Sequence, residues 1–133
     1  MKLIICLLFL ATYALAALSP QQVNKIEPIS KQCREETGAT LEQVNKIRSN
    51  AVFEDDPKLK KHVLCVAKKT GQVSESGTIN VEGIKNNLKK VGTSDETIAE
   101  IEKCLLEKDT AEETAFQVMK CVFDRQPNFS PAD

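Results

Sequence analysis

Past an N-terminal apolar run, four cysteines remain, Cys33, Cys65, Cys104 and Cys121, and each sits in a segment with helical periodicity. Cysteines in even number, spread along a short chain outside the reducing cytosol, act as staples. The pattern therefore predicts a small all-α domain whose helices are tied together by two disulfides, with little catalytic equipment.

The compartment follows from the first residues. Lys2 supplies a positive start, Leu3 to Leu10 is unbroken apolar sequence, and Ala14-Leu15-Ala16 provides the small-x-small pattern of a signal-peptidase site. Residues 1–16 thus read as a secretory signal peptide cleaved before Ala17. A membrane anchor is the competing reading, but a bilayer span takes about 20 apolar residues, and this run turns polar at Ser19-Pro20-Gln21-Gln22. Cys6 leaves with the leader, which makes the cysteine count even. Residues 17–133 are expected to form one secreted domain without membrane insertion. The full chain has a formal net charge of −1 and no concentrated basic patch, which argues against a nucleic-acid partner.

Helix-start chemistry organises the rest. Ser19-Pro20-Gln21-Gln22 and Asp56-Pro57 each put a cap before a proline in the first helical position. Thr40-Leu41-Glu42-Gln43, Thr93-Ser94-Asp95-Glu96 and Thr110-Ala111-Glu112-Glu113 have capping-box spacing. Asn80 is a plainer cap. Gly38, Gly71, Gly92 and Pro127 supply stops. The predicted helices cover 20–36, 40–50, 57–70, 80–91, 94–107 and 111–124. Pro28 should kink or split the first, because an interior proline removes a hydrogen bond. The last is apolar on several sides and so is expected to be central. Residues 72–79 read as a loop.

Spacing alone leaves three disulfide pairings open. It does weigh against a zinc site, since the cysteines lie far apart with no Cys-x-x-Cys, and the lone His62 three residues before Cys65 is a poor metal pair. No metal and no cofactor are expected. An enzyme is not expected either: nucleophilic catalysis needs a base oriented by a third group, and Glu35/Glu36 and Asp55/Asp56 are adjacent carboxylates that diverge on a helix.

The cysteine pattern resembles that of the insect odorant-binding proteins, specifically their four-cysteine subgroup. In the six-cysteine parent pattern the second and third cysteines are separated by three residues, and the fifth and sixth by eight. Cys33 matches the first, Cys65 the third, Cys104 the fourth and Cys121 the sixth. Lys61 and Glu112 stand where the second and fifth would be, and those two bond to each other in the family. The resemblance therefore implies bridges Cys33–Cys65 and Cys104–Cys121, each worth roughly 3–4 kcal/mol in the chain-entropy account, and a looser link between the third and sixth helices.

The same resemblance implies about six helices around an apolar cavity, and a carrier that takes small hydrophobic molecules such as odorants or pheromones through extracellular fluid. That fluid would be sensillum lymph, haemolymph or a gland secretion, with a membrane chemoreceptor as a further partner and a monomer or weak dimer as the working form. Candidate wall residues are Val44, Ile47, Phe53, Leu64, Ile84, Leu88, Phe116, Met119 and Phe123, with Phe116 and Met119 favoured for lying on the central helix. With no Trp, and with the lone Tyr13 inside the leader, a ligand's polar group must find Ser, Thr, Asn, a charged side chain or backbone. Broad, shape-tolerant binding of apolar compounds is expected. Acid-triggered release occurs in some members of the resembling family, but His62, beside Lys60 and Lys61, is expected on an idle solvated face. The alternative reading is a secreted helical signalling or effector protein acting by surface contact, whose core would be filled.

Overall fold

The computed structural model describes residues 18–131; the expected leader and cleavage site lie outside that range. Among the described residues six helices follow one another: α1 (Pro20–Thr37), α2 (Leu41–Asn50), α3 (Pro57–Lys69), α4 (Val81–Lys90), α5 (Asp95–Glu102) and α6 (Ala111–Arg125). No strand forms among the described residues. The 72–79 loop closes on itself through one antiparallel bridge, Val73 to Ile79.

Caps set the helix starts. The Ser19 and Thr40 side chains accept from the third helical N–H, and Gln22 and Gln43 reach back to the cap N–H, so both boxes are closed. Asp56, Asn80, Ser94 and Thr110 each accept from an N–H of the first turn. In the Thr93-Ser94-Asp95-Glu96 stretch the cap is Ser94 rather than Thr93, one residue later than the box spacing suggests.

Two expectations need correction. Of the kink or split expected at Pro28, the split does not occur, since α1 runs unbroken across it. Pro28 and Asn24, whose carbonyl loses its partner, are both exposed, so water can take the lost bond's place. The fifth helix stops at Glu102 rather than 107, leaving Cys104 in the turn beyond it. No basic residue occupies its last turn, where the helix dipole is negative. Cys104 N–H donates to the Ile101 carbonyl, and Leu105 N–H to that of Glu102. This tightened turn drops Leu105 into the core.

Disulfides Cys33–Cys65 and Cys104–Cys121 tie α1 to α3 and the segment after α5 to α6. The most extensive packing joins α3 to α6, followed by α1 to α3. α6 is the central element, burying Ala115, Phe116, Val118, Met119, Val122 and Phe123. The chain then turns back, and Phe129 is fully buried with its ring edge-on to Phe123.

Candidate functional site

The helices and both ends of the described chain leave a half-open cavity of about 70 Å³. Helix α1 contributes Ile26 and Ser30, α2 contributes Val44, Ile47 and Arg48, and the connection after it Phe53. From α3 come His62, Val63 and Val66, and from α6 Met119 and Phe123. Leu18 and Pro131 complete the wall. The cavity is smaller than the roughly 300–1,000 Å³ of clefts that take drug-sized ligands. A longer ligand requires the flexible Met119 and the neighbouring rings to move outward.

The wall is apolar except at one corner, where α1, α2 and α3 meet. Glu27 on α1 is gripped from two sides: Arg34 Nη2 lies 2.7 Å from its Oε1 and Arg48 Nη1 lies 2.7 Å from its Oε2. Burial works to raise the Glu27 carboxyl, but the hydrogen bonds from Arg34 and Arg48 outweigh it and hold the group below its usual range. Arg34 Nη1 also donates to Ser30 Oγ at 2.9 Å. His62 faces this cluster and is buried, only 4% exposed. Burial, reinforced by the charges of Arg34 and Arg48, pushes its pKa down from 6.5 to about 4, against an opposing hydrogen bond to the Cys33 backbone. The imidazole is therefore neutral at physiological pH.

Of the residues proposed from sequence, Val44, Ile47, Phe53, Met119 and Phe123 reach the cavity wall. Leu64, Ile84, Leu88 and Phe116 do not belong to it. Leu64 shares α3 with His62, Val63 and Val66 but points to another side of that helix. Ile84 and Leu88 are fully buried in the main core. Phe116 turns toward the start of α3, edge-on to Phe53 at 5.6 Å and under the Lys60 ammonium at 5.3 Å.

The expectation of a solvated His62 is overturned. Lys61 is exposed, but His62 falls one residue further round α3, on the face toward α1. The polar corner was also missed. Its signal lies in the spacing Glu27, Ser30, Arg34, at intervals of three and four residues beside the buried Ile26 and Cys33. That spacing puts a charged stripe on the inward side of α1. Among the described residues no cluster of His, Cys, Asp and Glu could hold a metal ion, and no helix is long and apolar enough to cross a membrane.

Comparison with known proteins gives a consistent picture. The sequence profile of the PBP/GOBP family matches residues 15–125. Over 117 residues the chain is 40% identical to the B2 protein of Tenebrio molitor, covering 87% of this chain and 91% of that one. The B1 protein of the same insect is 38% identical over 117 residues, covering 87% of this chain and 89% of its own. The solved structure of the THP12 carrier protein from yellow meal worm superposes with a TM-score of 0.59 at 35% sequence identity, covering 71% of this chain and 88% of that one.

Proposed function

Since the chain belongs to the PBP/GOBP family, we propose that it is a secreted carrier that holds one small hydrophobic molecule in the cavity between α1, α2, α3 and α6. The observation that carries this reading is the cavity itself: a mostly apolar, half-open void at the junction of four elements, two of which, α1 and α3, are tied by Cys33–Cys65. A well-packed interior tends to close such a void, so its persistence beside the Cys33–Cys65 staple supports a binding role over a filled-core effector. Burying apolar ligand surface contributes about 25 cal/mol per Å² before ordering costs.

Val44, Ile47, Phe53, Met119 and Phe123 are the proposed ligand-contacting residues, joined by Ile26, Val63 and Val66. The four-cysteine subgroup is the proposed place within the family, with Lys61 and Glu112 at the positions of the absent pair, and residues 1–16 are the proposed leader. The role requires no catalysis.

Mass spectrometry of an organic extract of the purified protein, paired with displacement of a fluorescent apolar probe by a ligand panel, tests this function. Co-purifying small lipophiles and micromolar displacement are expected. A protein that carries nothing and binds no probe would remove the carrier reading in favour of surface-contact signalling.

A further inference from the structure

The cavity's polar corner bears on the chemistry of the molecule it carries. Two of the buried side-chain polar atoms without a hydrogen-bond partner belong to the cavity wall, Arg48 Nη2 and His62 Nδ1. The Arg48 side chain is 13% exposed and His62 is 4% exposed, so solvent gives neither group much relief. The third polar wall residue, Ser30, is already engaged by Arg34.

Charge points the same way. Arg34 and Arg48 share a single carboxylate, Glu27, which leaves one positive charge uncompensated in the cluster. The charged or titratable groups facing the corner are Glu27 and Arg34 from α1, Arg48 from α2 and His62 from α3. Across the cavity, α6 contributes Met119 and Phe123, and the α2–α3 connection contributes Phe53.

Resting on the carrier reading, we propose that the ligand is an amphiphile with a carboxylate head, seated on the free Nη2 of Arg48 beside His62, its chain lying along Val44, Phe53, Met119 and Phe123. A hydrocarbon would leave the guanidinium donor unpaired in an apolar pocket. An amine would be repelled by the same group. A hydroxyl or ester carbonyl can accept the hydrogen bond but leaves the charge uncompensated. A carboxylate supplies both acceptor and countercharge, and charge-assisted bonds to arginine are the stronger kind. A carboxylate there also draws the His62 pKa upward, and Nδ1, when protonated, can donate to the second carboxylate oxygen. The broad, purely apolar preference expected from sequence gives way to selection by head group.

The test is displacement of a fluorescent probe from the purified protein by chain-matched decanoate, decanol, methyl decanoate and decylamine, repeated on Arg48→Met. The substitution keeps side-chain volume, and Glu27 remains paired with Arg34. Decanoate should bind at least roughly tenfold more tightly than decanol, and decylamine most weakly. In Arg48→Met the acid's advantage should vanish while decanol changes by no more than about twofold. Equal binding of all four head groups, or an acid preference that survives in Arg48→Met, would overturn the head-group assignment and leave the carrier reading intact. Failure of the probe and of every ligand to bind would overturn both. A second measurement needs no variant: carbon-13 NMR of carboxyl-labelled decanoate in the native complex. The bound carboxylate should titrate below the free acid, and titration at or above it would overturn the proposal.

Discussion

Lys60 Nζ lies 2.9 Å from Glu113 Oε2 and so joins α3 to α6, one residue from Lys61 on the first helix and from Glu112 on the second. Those neighbours are the positions the six-cysteine pattern gives to a bonded pair. The link that the resemblance implies is looser than in six-cysteine relatives joins, among the described residues, the most extensively packed helix pair. Lys60 also bonds Asp55 and covers the Phe116 ring, and its pKa is raised, chiefly by the hydrogen bond to Glu113 and then by that to Asp55.

If α3 and α6 keep the spacing of six-cysteine relatives, Lys61→Cys/Glu112→Cys should close a third bridge. Such a bridge stabilises by roughly 2–4 kcal/mol. Thiol titration and denaturant midpoints check it: no free thiol and a raised midpoint are expected, both lost on selective reduction. Two persistent thiols would show that the helices meet with a different offset.

Burial and the charges of Arg34 and Arg48 hold His62 at about 4 instead of 6.5. Between those values the unfolded chain binds the proton and the folded one does not, so stability is full above pH 6.5 and falls as the pH drops toward 4. The loss by pH 4 is roughly 3 kcal/mol. Glu27 and the other carboxylates with depressed pKa values lose their contribution at lower pH, in variant and parent alike. Urea midpoints of the protein and of His62→Gln at pH 7, 5.5 and 4.5 separate the two effects. The variant should show the shallower decline, and parallel curves would contradict the assignment.

Ala51 ends α2 in the left-handed region at φ 53°, among the described residues the one non-glycine with positive φ. Its N–H closes the helix on the Ile47 carbonyl, while Val52 N–H reaches that of Lys46, a pairing that favours glycine. Ala51→Gly should raise stability by roughly 0.5–1 kcal/mol, with relief of strain exceeding the added chain entropy. Thermal melts check this, and a lowered midpoint would mean that contacts of the Ala51 methyl matter more.

What was legible in the sequence was local. Ser19/Gln22 and Thr40/Gln43 carry their capping boxes in four consecutive residues, and the apolar breadth of α6 announces its central place. The two bridges followed from the resemblance. The cavity was legible only in part, because whether an apolar residue faces a void or plain core depends on the angle at which helices meet. Met119 and Phe116 lie three apart on α6, yet the first reaches the cavity and the second turns to Lys60. His62 was hidden for a related reason: its neighbours Lys60 and Lys61 are solvated or half-solvated, and one step of about 100° round a helix carries a side chain from water into the core.

Pro131 makes the tail part of the cavity wall, and the tail should govern release. Gln72, buried in the loop after α3, donates from Nε2 to the Pro131 carbonyl at 3.1 Å, and Gln22 Nε2 donates to the Asn128 carbonyl at 2.6 Å. Between these ties Phe129 is fully buried against Phe123, and Pro131 forms part of the wall. Phe129→Ala should cost about 3–5 kcal/mol, the range for emptying a buried ring, measured by urea denaturation. Gln72→Met keeps the volume but orphans a buried carbonyl, at a cost of about 1–3 kcal/mol. Because that bond holds the wall rather than the core, its clearer signature is kinetic. Stopped-flow displacement of a bound probe should be several-fold faster in Gln72→Met and faster still when residues 128–133 are removed. Unchanged release in both would mean that ligand leaves between the helices and that the tail serves stability alone.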